Sequence, residues 1–170
     1  MDNWHPVTYY RAEDHVRMGK SHRIEELFPI ASDVLERIGH SISMVCGPIT
    51  SGGLGSVEKN LERFERAIAL LAFHERKLFT QLPFEVPMSR IRNDSPYFKG
   101  DLHLLETFYY PLFVSGRVGK LCFLPDWRTS KGTCWEHDQA IELGITRKYF
   151  RSDFESVPLG ESLFLESDVC

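Results

Sequence analysis

The chain has 170 residues, of which 42% are hydrophobic and 26% charged, and its formal net charge is −4. That length suits one domain with a real core, and the acidic balance argues against an extended nucleic-acid surface. No apolar run approaches the roughly 20 residues that a membrane helix needs, and MDNWHPVTYYRAEDH lacks the basic-then-apolar order of a signal peptide. A cytoplasmic protein without a membrane partner is therefore expected. Cys46, Cys122, Cys134 and Cys170 are widely spaced with no CxxC pair and read as reduced thiols, mostly buried. His5, His15, His22, His40, His74 and His103 show neither HxH nor HxxxH spacing, so no metal site and no other cofactor is expected.

Residues 1–20 show no clear period and read as an extended lead-in. Beyond them Ile24, Leu27, Phe28, Ala31, Val34, Leu35 and Ile38 recur at helical spacing, and Gly39 ends the pattern. Pro29 interrupts it, which predicts a kink or two helices. Residues 1–40 thus form an N-terminal extension that packs on a sheet or on a second subunit. The stretch 41–46, SISMVC, alternates and is stopped by Gly47 and Pro48, so it is the first strand of a core spanning 41–150. A loop with three glycines, ITSGGLGS, leads into a helix over 57–73 with Leu61, Phe64, Ile68 and Leu71 as its inner stripe and Ser56 as its N-cap. A strand, a glycine-rich loop and a helix start make an anion cradle or a simple turn. The loop is neither a P-loop nor GxGxxG.

Residues 77–82 read as a second strand. Residues 83–99 hold three prolines and read as a long loop, a lid over a cleft. Residues 101–114 are helical up to Pro111, with Leu102, Leu105, Phe108 and Tyr109 inward. A short apolar strand over 121–124 follows, then a polar loop and a helix from Gly132 with Trp135, Ala140 and Leu143 in phase and Gly144 at its end. Residues 145–150 complete the core, and 151–170 form an acidic tail with a turn at Pro158, Leu159 and Gly160.

Strands alternating with helices call for a parallel sheet with helices on both faces. The expected fold is a flavodoxin- or Rossmann-like three-layer α/β sandwich of four to five parallel strands. In the order 2-1-3-4 the loops after strands one and three meet at the switch point, where ligands bind. There Glu136 lies in the first turns of a helix, whose N-terminus favours its ionised form and makes it a candidate nucleophile. Asp126 is either a second carboxylate or a cap of the turn. Trp127 is either a stacking surface for a base or core, and Ser130 and Gly132 shape and cap the helix entry. His137 points about 100° away from Glu136 and reads as a structural hydrogen-bonding residue. Arg90 and Arg92 read as solvated loop charges that could close over a phosphate.

Two blocks carry a resemblance. GPITSGG follows the first strand, and Trp127, Ser130, Gly132, Thr133, Glu136 and His137 match a W-x-x-S-x-G-[AT]-x-x-E-H pattern. Together, over roughly 42–145, they resemble the nucleoside 2-deoxyribosyltransferase superfamily, in particular its small bacterial and phage branch of unknown function. The resemblance implies cleavage or transfer of the N-glycosidic bond of a nucleotide or nucleoside substrate, with hydrolysis of a 5′-monophosphate favoured. Glu136 would attack C1′ of the sugar, and water or a second base would resolve the glycosyl-enzyme. Gly47 and Pro48 belong to the first block. Ser51, Gly52, Gly53 and Ser130 would hold the phosphate, with Lys131 or Arg128 adding charge. The assisting acid falls to Asp101, Asp94 or Glu106, because the spacing before the third strand is longer than usual. The resemblance also implies a homodimer or higher assembly. Cleavage of the nicotinamide–ribose bond of NAD, and a non-catalytic nucleotide-binding or partner-binding protein, are the alternative readings.

Overall fold

Strand β1 (Ile42–Cys46) is buried along its whole length, as befits a central parallel strand covered on both faces. In the computed structural model, which describes residues 4–166, it sits second in a four-stranded parallel sheet of order β2-β1-β3-β4. The other strands are β2 (Leu78–Phe79), β3 (Val118–Phe123) and β4 (Thr146–Tyr149). Met44 lies opposite Phe79 on one side and Leu121 on the other. Cys170 lies outside the described residues.

Side chains alternate between two clusters, one on each face. Met44, Cys46, Phe79, Leu121 and Phe123 meet α2 (Leu27–Ile38), α4 (Glu85–Asp94), α6 (Tyr110–Val114) and α7 (Lys131–Glu142). Val45, Leu78, Cys122 and Leu124 meet α3 (Val57–Ala72) and the tail residues Phe154 and Leu163. The result is the expected three-layer α/β sandwich. α3 covers one face on the way from β1 to β2, and the helices of the two return connections cover the other.

Several local expectations are corrected. The lead-in is not extended: a 3-10 turn, Pro6–Tyr9, precedes α1 (Ala12–Lys20). Helix α1 shows little apolar stripe because it is fixed to α2 by charge. Asp14, fully buried, takes two hydrogen bonds from Arg37 at 2.6 and 2.9 Å and one from the Arg11 amide. Pro29 stands at the third position of α2, where its missing N–H is unpaired in any case, so it follows a short 3-10 turn (Ile24–Glu26) and breaks nothing. Helix α2 packs on the sheet. Strand β2 is shorter than 77–82, since Thr80 turns its carbonyl to the Tyr10 hydroxyl at 2.5 Å and the chain leaves the sheet.

The predicted lid over 83–99 is mostly helix α4. Pro83 lies in a 3-10 turn (Leu82–Phe84), Pro87 in the first turn of α4, and Pro96 just past its end at Ser95, all positions a helix accepts. The following helix does not stop at Pro111. It runs as α5 (Asp101–Leu104), a π-helical turn (Leu105–Tyr109) and α6. Pro111 supplies no N–H, and just before it the helix is widened: the Tyr110 amide reaches back five residues to the Leu105 carbonyl. Leu102, expected inward, is exposed. The caps at Ser56 and Ser130, with hydroxyls accepting from the amides of Lys59 and Thr133 at 3.3 Å, are as the sequence predicts, as is the left-handed Gly144.

Candidate functional site

At the carboxyl edge of the sheet, where β1 and β3 end, a cavity of about 440 Å³ opens between the 47–51 loop, α4, the π-helical turn and the start of α7. That volume is in the range of small-molecule sites. Glu136 lines it, 6% exposed, together with Gly47, Ser51, Ser130, Lys131 and Gly132. Asp101 stands at the same cavity, largely exposed, and holds Arg92 at 3.1 Å.

Other predicted residues lie elsewhere. Asp126 does not line the cavity and pairs with Arg63. Trp127 is core: its ring stacks on His137 with centroids 4.1 Å apart, and Arg128 covers it at 4.3 Å. His137 is within 2.8 Å of the Tyr149 hydroxyl, consistent with a structural hydrogen bond. Pro48 is buried, and Gly52 and Gly53 stay outside the cavity lining. Those glycines serve close packing. A Cβ on Gly52 would come within 2.4 Å of the Thr129 carbonyl oxygen, and one on Gly53 within 2.4 Å of Asn60 Oδ1. The Gly53 amide donates to the Thr129 hydroxyl at 2.7 Å, and the Leu54 amide donates to Asn60 Oδ1 at 2.8 Å. This half of the expected cradle therefore spends those amides within the protein, Gly53 on the loop after β3 and Leu54 on Asn60 of α3. Asp94 and Glu106 are exposed and away from the cavity.

The surroundings of Glu136 work against the expected ionised form. It is the sixth residue of α7, beyond the first-turn amides and the range over which a helix N-terminus acts. Burial pushes its carboxyl up to about 8, against a hydrogen bond from the Cys46 thiol, and the nearby Glu85 adds to the rise. Glu85 itself lines the cavity from the first residue of α4, and burial lifts it to about 7 despite the attraction of Arg92. The Tyr109 hydroxyl, also at the cavity, is held protonated well above its ordinary range, first by burial and then by both carboxylates.

Sequence reasoning missed Glu85, Gln81, Tyr109 and Trp135 as cavity residues. Glu85 was legible in principle: an acidic residue two positions before Pro87 and just ahead of an apolar repeat is a helix-start signal. The cavity has three characters. Its floor is acidic, from Glu85 and Glu136; Arg92 and Lys131 supply cations; Leu102, Leu105 and Trp135 give an apolar wall.

These features define an α/β protein with a small-molecule cavity at the switch point of its sheet and a pair of protonatable carboxyls inside it. Compared with known families, curated proteins and solved structures, the chain matches none. No helix among the described residues is long and apolar enough to cross a membrane.

Proposed function

We propose that this protein hydrolyses the N-glycosidic bond of a nucleoside 5′-monophosphate, with Glu136 as nucleophile and Glu85 as its acid–base partner. The observation that carries the reading is the presence of two desolvated carboxyls, Glu136 and Glu85, in one ligand-sized cavity. The match of residues 127–137 to the nucleoside 2-deoxyribosyltransferase pattern supports it. So does the cavity's polarity: cations at Arg92 and Lys131 suit a phosphate, and Trp135 with Leu102 and Leu105 suits a flat base. A homodimer or higher assembly, implied by the same resemblance, belongs to the proposal.

The pair works with one proton between its two members. Burial leaves that proton mainly on Glu136, about 8 against about 7 for Glu85, and the reactive form is the less populated one in which the proton has moved to Glu85. The ionised Glu136 attacks C1′ as the C1′–N bond breaks, and the base leaves with the electron pair and takes the proton of Glu85. Glu85, now a carboxylate, removes a proton from a water that attacks C1′, and the ester to Glu136 breaks to release the sugar phosphate. The two half-reactions restore the starting protonation and sum to hydrolysis. Transfer differs only in the second step, where another base takes the place of water.

One observation favours a second reading, a non-catalytic nucleotide-binding protein: a carboxyl that keeps its proton at neutral pH is a hydrogen-bond donor before it is a nucleophile. A single experiment separates the two. Nucleoside 5′-monophosphates, deoxynucleosides and NAD are incubated with the wild type and with Glu136→Gln, and free base is followed by chromatography. Base released from a monophosphate by wild type alone supports the proposal. Nicotinamide release from NAD would redirect it, and binding by both proteins with release by neither would leave only the second reading.

A further inference from the structure

An ion pair in the cavity wall uses only part of its cation. Arg92, in the last turn of α4, donates from Nε to Oδ1 of Asp101 at 3.2 Å, and its Nη2 lies 3.1 Å from the same oxygen. Both side chains line the cavity. One edge of the guanidinium is thus committed to a single carboxylate oxygen. Nη1 makes no hydrogen bond among the described residues, so the edge formed by Nη1 and the other N–H of Nη2 is open. Such an edge is a fork that takes two oxygens of a phosphate.

The two partners are unequal. The Arg92 side chain is 31% exposed, with the Phe98 ring 5.8 Å away, whereas that of Asp101 is 77% exposed. The covered cation keeps its place. The open carboxylate gives up the contact easily, because water replaces it and exposed pairs are worth little. A phosphate dianion brings more charge and a bidentate fit, so it wins the exchange, and a neutral nucleoside does not contest it. Lys131, exposed at the start of α7 on the same cavity and without an ion-pair partner among the described residues, adds a second cation.

We propose that Asp101 is an internal competitor for the ligand's phosphate, holding Arg92 until a 5′-phosphate displaces it. Ligands without a phosphate leave the pair closed and gain nothing from Arg92. The proposal rests on the nucleotide reading and adds which cation takes the phosphate and which group guards it. Asp101 is then a specificity residue and not the acid that assists at the base.

The test compares the adenosine, guanosine, cytidine and uridine 5′-monophosphates with the four nucleosides. Equilibrium binding and base release are measured for wild type, Asp101→Asn, Arg92→Gln and the double variant, each checked for folding by thermal unfolding. For a compound that is turned over, KM is read in place of the dissociation constant. Asp101→Asn keeps the shape and removes the charge. It is expected to tighten the monophosphates by about three- to tenfold, the scale of one exposed ion pair and one removed negative charge, and to leave the nucleosides as they were. In Arg92→Gln the preference for monophosphates falls, and adding Asp101→Asn no longer changes it. Monophosphate binding that Asp101→Asn leaves unchanged or weakens, an equal gain for nucleosides, or a gain that survives the loss of Arg92 overturns the assignment. So does a loss of base release in Asp101→Asn with binding intact, which would make Asp101 the assisting acid. Wild type that binds nucleosides as tightly as monophosphates overturns it without recourse to any variant. If no base is released, the glycosidase reading fails and the dissociation constants still judge Asp101. If nothing binds, both fail.

Discussion

A glutamic acid with the burial of Glu136 sheds its proton only when something in the site compensates the charge. Its neighbour Glu85 works against that, because each carboxylate raises the pKa of the other, so the pair loses two protons in two coupled steps. With the limbs near about 7 for Glu85 and about 8 for Glu136, the singly protonated pair is most abundant between them. We expect kcat/KM for base release to follow a narrow bell over that interval. Activity rises as the first proton leaves and falls as the second does. Glu85→Gln removes the proton exchange at the leaving base and is expected to lower kcat by about 10²–10⁴-fold, the usual worth of general acid–base catalysis. A profile flat from pH 6 to pH 9, or full activity in Glu85→Gln, would remove Glu85 from the mechanism.

The elements of the sheet were legible in the sequence because strand stops and helix caps are local. Gly47 and Pro48 after β1, Ser56 before α3, Ser130 before α7 and Gly144 after it each act within a turn of the chain. The region 83–99 was misread because three prolines suggest a loop when counted, yet each stands where a helix tolerates it when placed. Glu85 went unnoticed with it. Glu136 does line the cavity, but the upward shift of its carboxyl was not legible, since the Cys46 thiol and Glu85 reach it only through tertiary packing. Helix α1 was hidden for the same reason: its anchor is the Asp14–Arg37 pair, 23 residues apart in sequence. Burial works against the charge of Asp14, but the Arg37 hydrogen bonds and the Arg11 amide hold its pKa below the ordinary range. Arg37→Ala would strand a fully buried carboxylate and is expected to destabilise the protein by about 3–5 kcal/mol. Chemical denaturation measures this, and a change under 1 kcal/mol would mean that α1 is held by something other than this pair.

At the scale of the whole molecule, one sheet is asked both to be dry on its two faces and to hold acids at its carboxyl edge. The larger core cluster includes Cys46, Tyr109 and Leu104, so the cavity floor is continuous with the packed interior rather than a surface dimple. That continuity desolvates Glu136 and links the site to global stability. Unfolded, Glu136 ionises near its ordinary value of 4.5; folded, it keeps its proton up to about 8. Between those two pH values the folded state binds more protons than the unfolded one, so stability falls as pH rises, and above about 8 the loss is complete. Below about 4.5 both states are protonated and the residue imposes no penalty. Glu136→Gln keeps the shape without the ionisation, so it is expected to raise the unfolding temperature at pH 8 and to change it little at pH 4.5, while abolishing base release. Thermal unfolding across that range reads the difference directly. A pH-independent offset between the two proteins would show that the carboxyl is solvated in the folded state, and the cavity would then lack the dryness on which its chemistry depends.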